Sequence, residues 1–114
     1  MAIYNLYGID AAGNAARTNI AATTQVVPAN RRLEIWEYGM DHEGTTTAWM
    51  FLERTRAGVI ADQDAVFLAA TGTITRQLTA PIEGAAADSF TIDYIQVAVI
   101  GQISAWWNGR DESP

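Results

Sequence analysis

Ser89-Phe90-Thr91-Ile92-Asp93-Tyr94-Ile95-Gln96-Val97-Ala98-Val99-Ile100 is the most regularly alternating stretch of the chain. In an extended backbone Phe90, Ile92, Tyr94, Gln96 and Ala98 point one way, and Thr91, Asp93, Ile95, Val97 and Val99 point the other. Gly101 interrupts the run as a bulge or turn would, and Ile103–Trp107 continues in extended form. Upstream, Thr46–Arg54 sets Trp49 and Phe51 on one face and Met50 and Leu52 on the other, a pattern that calls for burial on both sides, inside a sandwich or against a subunit. Arg32–Tyr38 is a further strand. Leu33 and Ile35 share a face that parity continues to Glu37, while Arg32, Glu34, Trp36 and Tyr38 share the other. Its alternation is imperfect, because large apolar groups fall on both sides.

Between these strands lie the polar loop Gly39–Thr47, a break at Gly58, the short strand Thr73–Leu78 and a loop from Pro81 to Ala87. Residues 59–70 allow two readings. Asp62 ahead of Ala65, Val66 and Ala69 suits a short helical turn leading into extended chain, which is the preferred reading. Val66–Leu68 equally suits a strand. Short β elements separated by Gly, Pro, Asp and Thr turns predict an all-β fold, an antiparallel β-sandwich of jelly-roll-like form, with a flattened barrel as the alternative. The sandwich is expected over residues 31–107. Residues 1–30, with Ile3, Leu6 and Ile9 dispersed ahead of the small-residue stretch Ala11–Thr24, read as an extended N-terminal arm or loop, apart from a possible short strand at Val26-Val27. Residues 108–114 read as a flexible polar tail.

The 114 residues suffice for one domain. Apolar residues make up 49% and charged residues 18%, a low charge content that suggests a surface in part either neutral and polar or covered by a partner. All 7 basic residues are arginine, and the net charge of -6 argues against binding nucleic-acid backbone. Without cysteine there is no disulfide, thiolate nucleophile or cysteine-ligated metal. The start lacks a basic, apolar targeting pattern, and Val97–Ile100 is far too short for a membrane-spanning helix, so neither nucleic acid nor membrane is expected as a partner.

The residues that could carry chemistry are sparse. His42, the one histidine, stands in Asp41-His42-Glu43 and reads as a solvent-facing loop residue; zinc sites draw on several His or Cys. Ser89, Ser104 and Ser113 lie in no nucleophile elbow. Glu34 and Glu37 fall on opposite strand faces, and Asp93 is expected in a structural ion pair, with Arg54 or Arg76, or in an interface contact. Gly8–Gly13 lacks the dinucleotide-binding spacing, and Asp62-Gln63-Asp64 lacks the rest of a calcium loop. The chain is expected to be no enzyme and to need no cofactor. Its tryptophans, Trp36, Trp49, Trp106 and Trp107, are the most unusual feature left. Adjacent Trp106 and Trp107 point to opposite faces of a strand, so one of them belongs to an interface, a sugar platform or a sheet edge.

Arg32–Tyr38, the loop Gly39–Thr47, the block Ala48-Trp49-Met50-Phe51-Leu52-Glu53-Arg54-Thr55 and the segment Ala61–Ala65 together resemble small proteins of tailed-bacteriophage structural gene clusters, over roughly residues 30–107. These are capsid decoration (cement) proteins and related head and tail components built on β-sandwiches. The chain departs from them in having no proline in Val59–Asp64 and in its Trp106-Trp107 pair. The resemblance implies a virion protein on the capsid surface, made in the host cytoplasm, that binds the major capsid protein as a homotrimer and stabilises the head. The interface it implies comprises Trp36, Tyr38, Arg54, Arg76, Trp106 and Trp107, with Ile3, Tyr4 and Leu6 of the arm reaching a neighbour. The alternative is a carbohydrate- or receptor-binding module of a phage tail or head fibre.

Overall fold

The computed structural model describes residues 2–97 and 100–113. Eight strands follow one another: β1 Ile3–Asp10, β2 Thr18–Val26, β3 Arg32–His42, β4 Ala48–Arg56, β5 Val59–Leu68, β6 Gly72–Gly84, β7 Ser89–Gln96 and β8 Ile103–Glu112. They form two four-stranded antiparallel sheets, sheet I in the order β1-β8-β3-β6 and sheet II in the order β2-β7-β4-β5. Strand one pairs with eight, two with seven, three with six and four with five. This is the jelly-roll order, in which a long antiparallel ribbon is rolled into a sandwich.

The regular stretch Ser89–Gln96 is β7, an inner strand of sheet II, with Phe90, Ile92, Tyr94 and Gln96 buried between the sheets. The expected strand runs on to Ile100, but β7 ends at Gln96; Val97 and Ile100 are not in a strand, and Ala98 and Val99 lie outside the described residues. In β4, Ala48, Met50 and Leu52 enter the core, whereas Trp49 and Phe51 point outward. The irregular alternation of β3 has a local cause. Ile35 pairs with Gly109 and Glu37 with Asn108, so Trp36 is an extra residue, a β-bulge. Leu33 and Ile35 are buried before it, and Tyr38, Met40 and His42 after it. Tyr38 therefore lies on the core side, opposite to its expected face.

Several expectations are corrected. Residues 1–30 are not a separate arm: Ile3–Asp10 and Thr18–Val26 are edge strands of the two sheets. Their extended conformation was legible, but their membership was not, because an edge strand buries only alternate, often small, residues. Gly8 of β1 faces Ile20 of β2 so closely that a Cβ would stand 2.5 Å from the isoleucine methyl. In β2 the pairing shifts between Ile20 and Gln25, and Thr23 fills the gap, its Oγ1 accepting the Ile92 N–H at 2.9 Å. The preferred helical turn at 59–70 is strand β5, joined to β4 by a two-residue turn at Ala57 (φ 50°) and Gly58 (φ 78°). The expected tail is ordered through Glu112, as the end of β8.

Three large aromatic side chains cross the core and fasten one sheet to the other by their polar ends. Trp107 Nε1 donates to the Thr23 carbonyl at 2.7 Å, Tyr38 donates to Asp64 Oδ2 at 2.6 Å, and Tyr94 donates to Asp10. Each buries its ring while satisfying its polar atom. Their carboxylate partners and burial raise the pKa values of both tyrosines, burial being the larger cause.

Candidate functional site

The outward residues of sheet I form a mixed aromatic and polar surface. β1 contributes Ile3, Asn5, Tyr7 and Ile9, and across from the first three β8 contributes Arg110, Asn108 and Trp106, while Ser104, opposite Ile9, is covered. Ile3, Tyr7 and Ile9 are among the most exposed apolar residues of the molecule. Trp106 lies over the bare backbone of Gly39, its cross-strand partner. A Cβ at Gly39 would come within 2.5 Å of the indole Cζ2 and of the Ile74 carbonyl oxygen, so only glycine admits this arrangement.

The bulge decides where Trp36 goes. It turns the indole out of the alternation and leaves it 40% exposed, beside the Arg110 guanidinium, whose carbon is 5.9 Å from the ring centroid. Trp36, Arg110, Ile3, Asn5, Asn108 and Gly109 line an open groove of about 350 Å³. Its polar margin is set by neighbours: Asn108 Nδ2 lies 3.4 Å from Glu37 Oε1, Gln77 Nε2 lies 3.5 Å from Glu37 Oε2, and Arg110 Nε lies 3.2 Å from Glu112 Oε1. Such a surface offers ring faces, amides and a guanidinium, which suit contact with another protein or a sugar.

The expected interface residues divide. Ile3, Trp36 and Trp106 do come together on this face. Tyr38 and Trp107 are fully buried in the core, and Tyr4 and Leu6 are partly buried against it. Those four are therefore structural. The Tyr4 hydroxyl donates to Asp111 Oδ2 at 2.6 Å; with the Ala2 N–H and Arg31, this bond holds the Asp111 carboxyl down at about 2. Arg54 is half-buried on β4. Arg76, on edge strand β6, reaches Asp64 at 3.2 Å and joins the edges of the two sheets. Sequence reasoning missed Tyr7, Asn5, Asn108 and Arg110. Their signal, alternation in β1 and β8, was hidden by reading the one as arm and the other partly as tail.

Two polar expectations also change. His42 does not face solvent: it is fully buried at the end of β3, Nε2 donating to the Thr46 carbonyl at 2.6 Å and Nδ1 accepting from Gln96 Nε2 at 3.1 Å. Asp93 is not held by Arg54 or Arg76. Arg17, just ahead of β2, binds it at 2.8 Å, with Asn19 donating to its other oxygen. Among the described residues no group of three or more His, Cys, Asp or Glu is arranged to hold a metal ion.

No family model and no curated protein matches the sequence. Solved structures share the fold. PirA superposes with a TM-score of 0.60 at 8% identity, covering 92% of each chain. A subunit of the Bacillus endospore appendages, described as disulfide-linked pili, gives 0.58 at 8% identity, covering 97% of this chain and 88% of that one. A chain of the T13 viral particle of IBDV gives 0.50 at 6% identity, covering 98% of this chain and 31% of the other. Structural proteins of a virus particle and of a pilus are thus among the chains this one is similar to in fold.

Proposed function

We propose that this chain is a structural protein of a bacteriophage particle, a cement protein that binds the outer capsid lattice through the exposed face of sheet I and catalyses no reaction. The observation that carries the reading is the cluster Ile3, Tyr7, Ile9, Trp36 and Trp106 on one sheet face, aromatic and aliphatic groups left in water beside amides and a guanidinium. Exposed apolar surface rimmed by polar groups marks a contact surface, and tryptophan, tyrosine and arginine dominate binding energy at such places. The block pattern over residues 30–107 directs the reading to phage heads. A homotrimer seated on the major capsid protein, at the capsid surface of the virion, is the corresponding assembly.

Co-sedimentation with mature, emptied capsids tests it. The wild-type chain is expected to pellet with capsids and to protect them from heat, and Trp36→Ser with Tyr7→Ser is expected to stay in the supernatant while keeping its far-ultraviolet spectrum. Pelleting unaffected by that pair would sink the assignment of the face.

A second reading has its own support in the groove. An indole face next to Asn5, Asn108 and Arg110 is able to stack on a sugar ring while the amides bond its hydroxyls, as a receptor-binding module of a tail or head fibre would. Titrating host-surface glycans while following tryptophan fluorescence separates the two: a saturable change that Trp36→Ala abolishes favours the sugar, and none favours the capsid.

A further inference from the structure

The opposite side of the sandwich carries a surface of different chemistry. On sheet II the outward side chains stand in rows across β7, β4 and β5: Ile95, Trp49 and Phe67, then Asp93, Phe51 and Ala65, then Thr91, Glu53 and Asp62. Trp49 and Phe67 are 40% and 52% exposed, their centroids 5.0 Å apart, and Trp49 stacks on Phe51. Strand geometry makes the stripe from Trp49 to Glu53 about 13 Å long. One end is apolar and the other acidic.

At the acidic end a single guanidinium serves three carboxylates. Arg17 Nη2 lies 3.1 Å from Glu53 Oε2, Nη1 3.2 Å from Asp62 Oδ2 and Nε 2.8 Å from Asp93 Oδ2, and its central carbon sits 4.2 Å above the Phe51 ring. Asp93 and Glu53 are nearly buried. With all three acids ionised, one cation leaves the cluster two charges short of neutral. Burial of Glu53, with the hydrogen bond and charge of Asp93, pushes its carboxyl up to about 7 against the pull of Arg17. Arg17 also shows, within the chain, that this face takes a guanidinium on an aromatic ring beside carboxylates.

We propose that the outer face of sheet II is a second docking surface, for a protein segment that presents an arginine or lysine a few residues from an apolar side chain. The apolar group rests on Trp49 and Phe67, and the cation pairs with the exposed Asp62 carboxylate, where its charge also reaches the neighbouring Glu53. Charge complementarity selects this occupant: an acidic segment would add like charge to an uncompensated cluster, and a purely apolar one would cover the carboxylates without pairing them. The proposal is independent of what sheet I binds. Two faces of unlike chemistry would let one sandwich bridge two different neighbours.

The test uses the full chain and the peptide acetyl-Leu-Thr-Val-Thr-Arg-amide, whose leucine, valine and arginine face one way when extended, with a second peptide carrying Glu in place of Arg. The Trp49 indole N–H signal, assigned through Trp49→Phe, reports binding. The arginine peptide is expected to shift it saturably, at least about tenfold more tightly than the glutamate peptide. Asp62→Asn, an exposed change, is expected to weaken binding several-fold, and Trp36→Ser on the other sheet to leave it unchanged. Because a bound cation favours ionised Glu53, affinity is expected to rise by up to about tenfold from pH 6 to pH 8. Equal binding of the two peptides, or no Trp49 shift with millimolar arginine peptide, would overturn the proposal.

Discussion

Glu53 shows how one side chain ties stability to pH. Its carboxyl is held up to about 7 by burial and by Asp93, against an ordinary value of 4.5. The folded protein therefore binds this proton more tightly than the unfolded chain does. The favourable contribution is complete below 4.5 and is lost as pH rises through 7. Thermal melts are expected to show stability falling from pH 5 to pH 7.5, by on the order of 2 kcal/mol from this group, and Glu53→Gln is expected to flatten that slope. A wild-type slope of the opposite sign would contradict the geometry of the cluster. Asp111 works the other way: its lowered carboxyl stabilises the fold at neutral pH, and that contribution goes as pH falls from 3.8 through about 2. Neither role was legible in the sequence. Asp93 was recognisable as an acid inside an apolar strand, but its partner, Arg17, sits in a segment of small residues that gave no sign of folding back over β7, β4 and β5.

Strand by strand, legibility followed burial. The inner strands β7, β4 and β3 bury several large side chains each, and their alternation announced them. The edge strands β1, β2 and β5 did not, because few large groups enter the core from them; in β5 only Val66 is fully buried. The bulge at Trp36 misled in a different way, since one extra residue reverses the face of all that follow. It put Tyr38 beside Trp36 in the expected interface, whereas the indole is the exposed group and the phenol the buried one. The turn between β4 and β5 supports an element-level prediction. Both central residues have positive φ, a conformation that costs an alanine roughly 1 kcal/mol. Replacing Ala57 by asparagine is expected to raise stability by about 0.5–1 kcal/mol in urea melts, and a loss of stability would contradict the turn type.

For the whole molecule, the fold depends on joining the ends of the chain. β1 pairs along its full length with β8, Ile3 opposite Arg110 and Asp10 opposite Ile103. A protein built from such distant pairings is expected to refold slowly, in milliseconds to seconds. Removing residues 2–10 is expected to abolish the cooperative thermal transition, because it strips an edge strand and the Tyr4–Asp111 and Tyr94–Asp10 bonds. A detachable arm would instead leave the melt intact. The all-β sandwich was readable from strand spacing, but its order was not, since nothing local records which strands pair. The same closure places Tyr7 beside Trp106 and Ile3 beside Arg110, across the groove from Trp36, and so builds the apolar face through which sheet I is proposed to meet the capsid. Light scattering of the purified chain, alone and mixed with emptied mature capsids, tests that claim most directly. Expected are a discrete trimer of three 12.4 kDa chains that persists in Trp36→Ser with Tyr7→Ser, and a saturable gain of capsid mass with the wild-type trimer that the double variant loses. A wild-type chain that adds no mass to capsids, or a gain indifferent to both substitutions, would contradict it.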